Sequence, residues 1–306
     1  MTSLRARLLK ALIRLYTYPY RKRHMSLSRS VVPKNKVYKP PIGIAHATEK
    51  FGGSVTEIFT SNPYGIPVVM FHGGGERQGI SGMYRKAAEK LARLSDGSVY
   101  AIDYKTGADL KYPALHDECY AAYTEIAKTL SSPPVAVGDS MGANIMLSTC
   151  LRLRDNAFPL PRALICVSPF ADLAATGSSY EKNCHSDPLY ALPKWQSYEK
   201  YGGFIRRVPV YCGSTDPKDP YLSPAYASFE GFPPMLVQCG DCETSESDSD
   251  MIASAAVKCG VKVTLTKYKG MFHDFQFMFP SLKESRRAWR EISEFINGSV
   301  KIHKTP

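Results

Sequence analysis

The sequence predicts an α/β fold with a mostly parallel central sheet flanked by helices, and two observations lead to it. Short apolar runs such as IPVVMFH (66–72), PVAVGD (134–139) and RALICVSP (162–169) suit strands that are buried on both faces. Stretches with helical periodicity separate these runs, and such alternation indicates parallel strands joined by helices. The 306 residues are enough for one large domain of this type.

The remaining elements follow in chain order. GIAHATEKF and GSVTEIFTS, joined by Gly52 and Gly53, predict an antiparallel pair ahead of the parallel strands. Further strands are predicted over 98–104, 233–240 and 261–268, and helices over 83–96, 113–130, 141–153, 248–258 and 281–296, the last with Asn297-Gly298 as its C-terminal turn. More than 60 residues separate strand 162–169 from strand 233–240. We expect extra helices there, over the carboxyl edge of the sheet, where ligands bind in such folds.

The excess of positive charge is confined to the N-terminal arm. Residues 1–50 hold twelve Lys or Arg and one acid, which equals the whole net charge of +11, so the body is neutral and gives no sign of a nucleic-acid surface. LRARLLKALIRLY (4–16) predicts a basic amphipathic helix. Three interpretations stay open for the arm: a cap helix that packs on the domain, a helix at a membrane surface through residues 4–23, or a mitochondrial targeting peptide.

The eight cysteines are scattered, and several lie in apolar strand-like or helical stretches. This usage is typical of buried thiols in a reducing compartment, so we expect a cytoplasmic protein without a disulfide framework. Cys239 and Cys242 form a lone C-x-x-C with no second pair and no nearby ligand histidine. We therefore expect no metal and no cofactor.

Residues 138–142 read Gly-Asp-Ser-Met-Gly, between a predicted strand and a predicted helix. Gly-x-Ser-x-Gly alone arises often by chance, but this context is that of a nucleophile elbow, which projects Ser140 into a site. A serine hydroxyl is a weak nucleophile, so it needs a base and a group that orients the base. His273, in a loop after the late strand 261–268, is the candidate base.

His72-Gly73-Gly74-Gly75 ends an earlier buried strand, and its bare backbone N–H groups suit an oxyanion hole. With GDSMGAN (138–144), DPLY (187–190), DPYLSPAYASFEGFPPMLVQCG (219–240) and YKGMFHDFQFM (268–278), HGGG resembles the hormone-sensitive-lipase-like branch of the α/β-hydrolases, which are carboxylesterases and lipases. The resemblance covers about residues 48–297. It implies that Ser140 is the nucleophile, that His273 is the base, and that the N–H groups of Gly74, Gly75 and Met141 form the oxyanion hole.

The resemblance also implies an arm or cap over 1–45 and an α/β-hydrolase domain over 46–300, with a helical cap made by the arm and the 170–220 insertion. The chain departs from the family at Met141 and Ala143, where smaller residues are usual, and at Glu76 and Arg77 after HGGG. These departures concern the elbow and the polarity of the acyl pocket.

The orienting acid should follow strand 233–240, where Asp241, Glu243 and Glu246 qualify. Aligned with the family, Cys242 takes the place of the usual Asp and Glu243 that of the neighbouring Glu. We predict Glu243, with Asp241 as the alternative.

The predicted function is hydrolysis of carboxylic esters, either short- to medium-chain acyl esters or acylglycerols, through an acyl-enzyme. An amidase or deacetylase with the same triad, or a catalytically silent ligand-binding protein on the same fold, is the alternative, since fold does not decide function. The sequence leaves the natural substrate and a homodimer open.

Overall fold

A computed structural model describes residues 2–22, 38–75, 78–107, 109–190, 192–194, 196–197 and 210–302. Its centre is an eight-stranded sheet in the order β1-β2-β4-β3-β5-β6-β7-β8. The strands are β1 (Ala45–Phe51), β2 (Ser54–Thr60), β3 (Val68–Phe71), β4 (Ser98–Asp103), β5 (Val135–Asp139), β6 (Ala163–Val167), β7 (Met235–Gly240) and β8 (Val263–Tyr268). β1, β2 and β4 pair antiparallel and all other pairs are parallel, which confirms the predicted fold class.

Helices cover both faces of the sheet. They are α1 (Leu4–Lys22), α2 (Gly82–Ser95), α3 (Ala114–Thr129), α4 (Met141–Asp155), α5 (Ser179–Lys182), α6 (Glu246–Lys258), α7 (Phe275–Met278) and α8 (Lys283–Ile302). α3, α4 and α6 bury residues such as Leu115, Ile145 and Ile252 on one face, and α2 and α8 bury Leu91 and Ile292 on the other. In the described residues no helix is long and apolar enough to span a bilayer.

Each of the six later strands lies within its predicted range, and most helix ends differ by one or two residues. The predicted end of the last helix at Asn297 is wrong, because α8 continues to Ile302. The amide of Asn297 donates to Ser293 O at 2.7 Å within the helix and to Leu94 O at 3.2 Å on α2. These hydrogen bonds hold Asn297 within the helix, at the position where the sequence predicted its C-terminal turn.

The described part of the long connection between β6 and β7 contains little helix. It holds the four-residue α5 and two 3₁₀ turns, Val210–Cys212 and Pro224–Tyr226. Residues 191, 195 and 198–209 of the predicted cap insertion lie outside the described residues, as do residues 23–37 of the predicted arm. Side-chain hydrogen bonds hold the described part of this connection: the buried Asp172 accepts from Thr176 N at 2.7 Å and from Tyr226 OH at 2.9 Å.

Candidate active site

Ser140 occupies the turn between β5 and α4 with φ 51° and ψ −123°, a conformation that non-glycine residues rarely adopt and that clusters at functional sites. The flanking glycines allow the turn to be this tight. A Cβ on Gly138 would lie 2.7 Å from Ala143 Cα, and one on Gly142 would lie 2.2 Å from Phe71 O. The Gly-x-Ser-x-Gly spacing is therefore a steric requirement of this turn.

Three predicted residues meet at the carboxyl edge of the sheet. His273 Nε2 lies 2.9 Å from Ser140 Oγ. On the other side of the ring, His273 Nδ1 lies 3.2 Å from Glu243 Oε2. His273 follows β8, Glu243 follows β7 and Ser140 follows β5, so the parallel strands bring together residues that are far apart in sequence. This arrangement has the order nucleophile, base and acid that acyl transfer requires.

Glu243 is fully buried, and hydrogen bonds hold it in one orientation. Its Oε1 accepts from Ser168 Oγ at 2.9 Å and from the backbone N–H of Gly240. The amide of Asn183 donates to the Glu243 carbonyl at 2.8 Å and fixes the backbone. Ser168 and Gly240 thus occupy Oε1, and Oε2 faces His273.

The other two candidate acids point elsewhere. Asp241 Oδ1 accepts from the N–H of Gly270 at 2.6 Å, which ties the loop after β7 to the loop after β8. Glu246 Oε1 accepts from Lys267 Nζ at 2.9 Å. Of the three acids, the structure places only Glu243 against the His273 ring.

The glycine loop after β3 lies beside the elbow. The N–H of Gly73 donates to Asp139 Oδ1 at 2.9 Å and is thereby used. Gly74 and Gly75 follow with φ of 97° and 64°, which favour glycine. The N–H of Met141, the first residue of α4, has no acceptor within its helix. The N–H groups of Gly74, Gly75 and Met141 are the predicted hydrogen-bond donors to an oxyanion.

His72 begins the glycine loop, and its side chain packs against Tyr104 instead of facing Ser140. Its ring stacks on Tyr104 with centroids 4.0 Å apart, and its Nδ1 lies 2.8 Å from Gly73 O. Burial lowers the pKa of this imidazole, which favours its neutral form. Glu76 and Arg77, the departures from the family after HGGG, lie outside the described residues.

Sequence reasoning missed three buried carboxyl groups around the histidine. Asp274 Oδ2 lies 3.3 Å from His273 Nε2, and Asp139 accepts from Tyr84 OH at 3.0 Å. Asp187 accepts from the backbone of its own turn at 2.8 Å. Asp139 and Asp274 are the immediate chain neighbours of the nucleophile and the base, so a sequence signal existed. Only the fold shows that both side chains turn inward.

Burial governs the charge of these groups. It raises the pKa of Asp139 to about 7 and the pKa of Asp187 to about 6, and it raises the pKa of Asp274 well above its ordinary value. For His273, burial alone lowers the pKa, but the carboxyl groups of Asp274 and Glu243, with Asp187 behind them, raise it further than burial lowers it. These carboxyl groups therefore favour the positive charge that the ring acquires when it accepts a proton.

The cysteines show no metal-binding arrangement. All eight are free thiols, and Cys239 is buried in β7. Cys242 Sγ lies 2.9 Å from Lys10 Nζ of α1. In the described part of the chain, no three His, Cys, Asp or Glu side chains cluster as metal ligands do.

Comparison with known proteins shows the family of this chain. A family model described as the alpha/beta hydrolase fold matches residues 68–277. An acetyl-hydrolase of Streptomyces hygroscopicus is 31% identical over 235 residues, which is 76% of this chain and 75% of the relative. An esterase of Acinetobacter venetianus is 30% identical over 226 residues, which is 73% of this chain and 72% of the relative.

Solved structures give the same result. An esterase from the bacterial hormone-sensitive lipase family superimposes with a TM-score of 0.80 at 25% identity, covering 98% of this chain and 99% of that one. A homologue of hormone-sensitive lipase from a metagenome library has a TM-score of 0.81 at 26% identity and covers 98% and 100%. The chain therefore belongs to the α/β-hydrolase fold family and is an enzyme of its esterase and lipase class.

Proposed function

We propose that the protein hydrolyses carboxylic esters with Ser140 as nucleophile, His273 as general base and Glu243 as the acid that orients the base. The observation that carries this proposal is the unbroken path from Ser140 Oγ to His273 Nε2 at 2.9 Å and from His273 Nδ1 to Glu243 Oε2 at 3.2 Å. Ser140 also lies on a strained turn that the flanking glycines permit.

The first half of the reaction forms the acyl-enzyme. Ser140 Oγ attacks the ester carbonyl carbon as its proton passes to His273 Nε2. Glu243 Oε2 accepts a hydrogen bond from the Nδ1–H of the resulting imidazolium, and the surrounding carboxyl groups favour the positive charge of the ring. The backbone N–H groups of Gly74, Gly75 and Met141 stabilise the negative charge on the carbonyl oxygen.

The second half releases the acid. His273 gives its Nε2 proton to the alcohol oxygen as the C–O bond breaks, and the alcohol departs. Water then attacks the acyl carbon while its proton passes to His273 Nε2. The bond from the acyl group to Ser140 Oγ breaks, the proton returns to that oxygen, and the carboxylic acid leaves. No step draws on a cofactor.

The names of the relatives support a substrate class. One is named an acetyl-hydrolase and another an esterase, and the structural neighbours are esterases. We infer a short- to medium-chain acyl ester, with acylglycerols as the longer alternative.

The test is turnover of p-nitrophenyl esters from acetate to palmitate, beside the matching p-nitroanilides, by wild type, Ser140→Ala and Ser148→Ala. Ser148 is a matched control because it is buried in α4 and its hydroxyl has no hydrogen-bond partner in the described structure. Ser140→Ala should lower kcat by a factor on the order of 10⁶ and abolish fluorophosphonate labelling. Ser148→Ala should retain both.

Each contrary outcome has a distinct meaning. Equal turnover by wild type and Ser140→Ala would place the chemistry elsewhere. Faster turnover of anilides than of esters would assign an amidase or deacetylase. A wild type that binds esters without turnover or labelling would be a silent binding protein on this fold.

A further inference from the structure

The N-terminal helix α1 has two different faces. Its inner face buries Ala6, Ile13 and Thr17, which are at most 9% exposed. Ala6 and Ile13 belong to one apolar cluster with Met271 and Phe272, on the loop that carries His273. This contact covers the inner side of the helix, while the leucines on its opposite side are exposed.

Polar contacts fix the helix in this orientation. Thr17 Oγ1 donates to Pro188 O at 2.7 Å, and the guanidinium of Arg14 donates to Ser186 O at 2.7 Å. At the first turn, the backbone N–H of Ser3 donates to Glu284 Oε1 at 2.7 Å. These contacts lie along the length of the helix and keep its outer face directed away from the body.

The outer face is apolar. Leu4, Leu8, Leu12 and Leu15 are 65%, 59%, 63% and 74% exposed. Successive helical residues are about 100° apart, so these four leucines lie within an arc of about 80°, roughly opposite the buried residues. Every exposed leucine in the described residues belongs to this stripe. A contiguous exposed apolar surface of this kind marks an interaction site.

The charge around the stripe selects the partner. Arg5 and Arg7 are exposed and lie on either side of the leucines by helical position. The sequence has no acidic residue before Glu49, and residues 1–50 carry the whole net charge of the protein. An apolar stripe flanked by cations is complementary to a lipid surface that contains anionic headgroups.

We propose that the leucine stripe of α1 docks the protein on an anionic lipid bilayer, with the helix lying in the interface. The inner face contacts Ser186 and Pro188, which lead to Tyr190, and the ring of Tyr190 lies 5.0 Å from the ring of His273. The docked helix thus lies against segments that line the candidate active site. If the proposed function holds, docking through α1 brings the candidate active site close to the lipid surface.

The test is co-sedimentation of the full chain with vesicles of phosphatidylcholine alone and of a two-to-one mixture of phosphatidylcholine and phosphatidylglycerol. We compare wild type with Leu8→Glu/Leu12→Glu. The matched control is Ile42→Glu/Val257→Glu, which charges two exposed apolar residues outside α1 that are 99% and 59% exposed. All three proteins should keep the same thermal midpoint, because none of the changed side chains is buried.

Wild type and control should bind the anionic vesicles, less so in high salt, and bind the neutral vesicles weakly. The leucine variant should lose about tenfold or more of its vesicle partition coefficient. Turnover of a water-soluble ester should be the same in all three, which separates this proposal from the proposed function. Equal vesicle binding by wild type and the leucine variant would refute the proposal. The proposal would also be refuted if wild type did not bind vesicles but formed a concentration-dependent dimer that the leucine variant abolishes.

Discussion

Replacement of Glu243 by Gln tests the choice of the acid most directly. Glu243 is buried, with Oε1 held by Ser168 and Gly240 and Oε2 against His273 Nδ1. Gln has the same shape, and its carbonyl oxygen will take the Oε1 position, since two donors point there. Its NH₂ group then faces Nδ1. The histidine is forced into the tautomer with its proton on Nε2, so it cannot accept a proton from Ser140.

The expected loss follows from this tautomer. An acid-to-amide change that keeps the geometry but imposes the wrong tautomer lowers kcat by about 10⁴, or about 5.5 kcal/mol of transition-state stabilisation. KM should change little, because Glu243 does not contact the substrate in the proposed mechanism. Asp241→Asn is the matched control, since its amide oxygen can still accept from the N–H of Gly270. We expect it to retain kcat within about tenfold.

The assay is the kcat of p-nitrophenyl butyrate hydrolysis, with folding checked by circular dichroism and thermal unfolding. A crippled Asp241→Asn beside a nearly normal Glu243→Gln would refute the reasoning. Loss of folded structure in Glu243→Gln would shift the test to the tautomer itself, read from the ¹⁵N chemical shifts of His273 in Glu243→Asp, which keeps the charge.

Three further predictions concern the glycine loop, the charge at the base and a buried histidine. Gly74→Ala places a Cβ 2.7 Å from Gln78 Cβ at φ 97°, so the loop must shift, and kcat should fall by about 10² to 10³ with a smaller change in KM. An unchanged kcat would remove this N–H from the oxyanion hole. Asp274→Asn removes a carboxyl group that raises the pKa of His273, so the acid limb of the kcat/KM profile should move to lower pH, and a limb that stays in place contradicts this. Burial lowers the pKa of His116 from its ordinary value of 6.5 to about 4, so its native form is neutral and the unfolded chain binds its proton first as pH falls. Stability due to this group is present above pH 6.5 and lost toward pH 4, by roughly 3 kcal/mol. Urea unfolding of His116→Gln should show a correspondingly smaller loss than wild type over that range, and equal losses would contradict it.

The fold class and two members of the candidate triad could be predicted from sequence because each has a local signature. Strand and helix periodicity depends on neighbours a few residues away, and the turn at Ser140 needs its glycines within two positions on either side. His273 could be predicted because it lies in the loop after the late strand 261–268, which the sequence pattern locates.

The tertiary structure decided what depends on the direction of side chains in loops. Asp241 and Glu243 are two residues apart, and only the path of the loop after β7 turns one toward Gly270 and the other toward His273. The direction of the Asp274 side chain is a second example. Asp274 has the αL conformation, and its carboxyl group lies against the ring of His273.

For the N-terminal helix, the sequence determined an amphipathic pattern but left three alternatives: packing on the domain, contact with a membrane surface and a targeting peptide. Hydrophobic periodicity shows that a helix has apolar residues and not which surface covers them. The structure shows Ala6 and Ile13 packed against the body, while Leu8 and Leu12 face away from it. Because burial is a property of the assembled surfaces, only the packed chain could show that one face of this helix is buried and the opposite face is exposed.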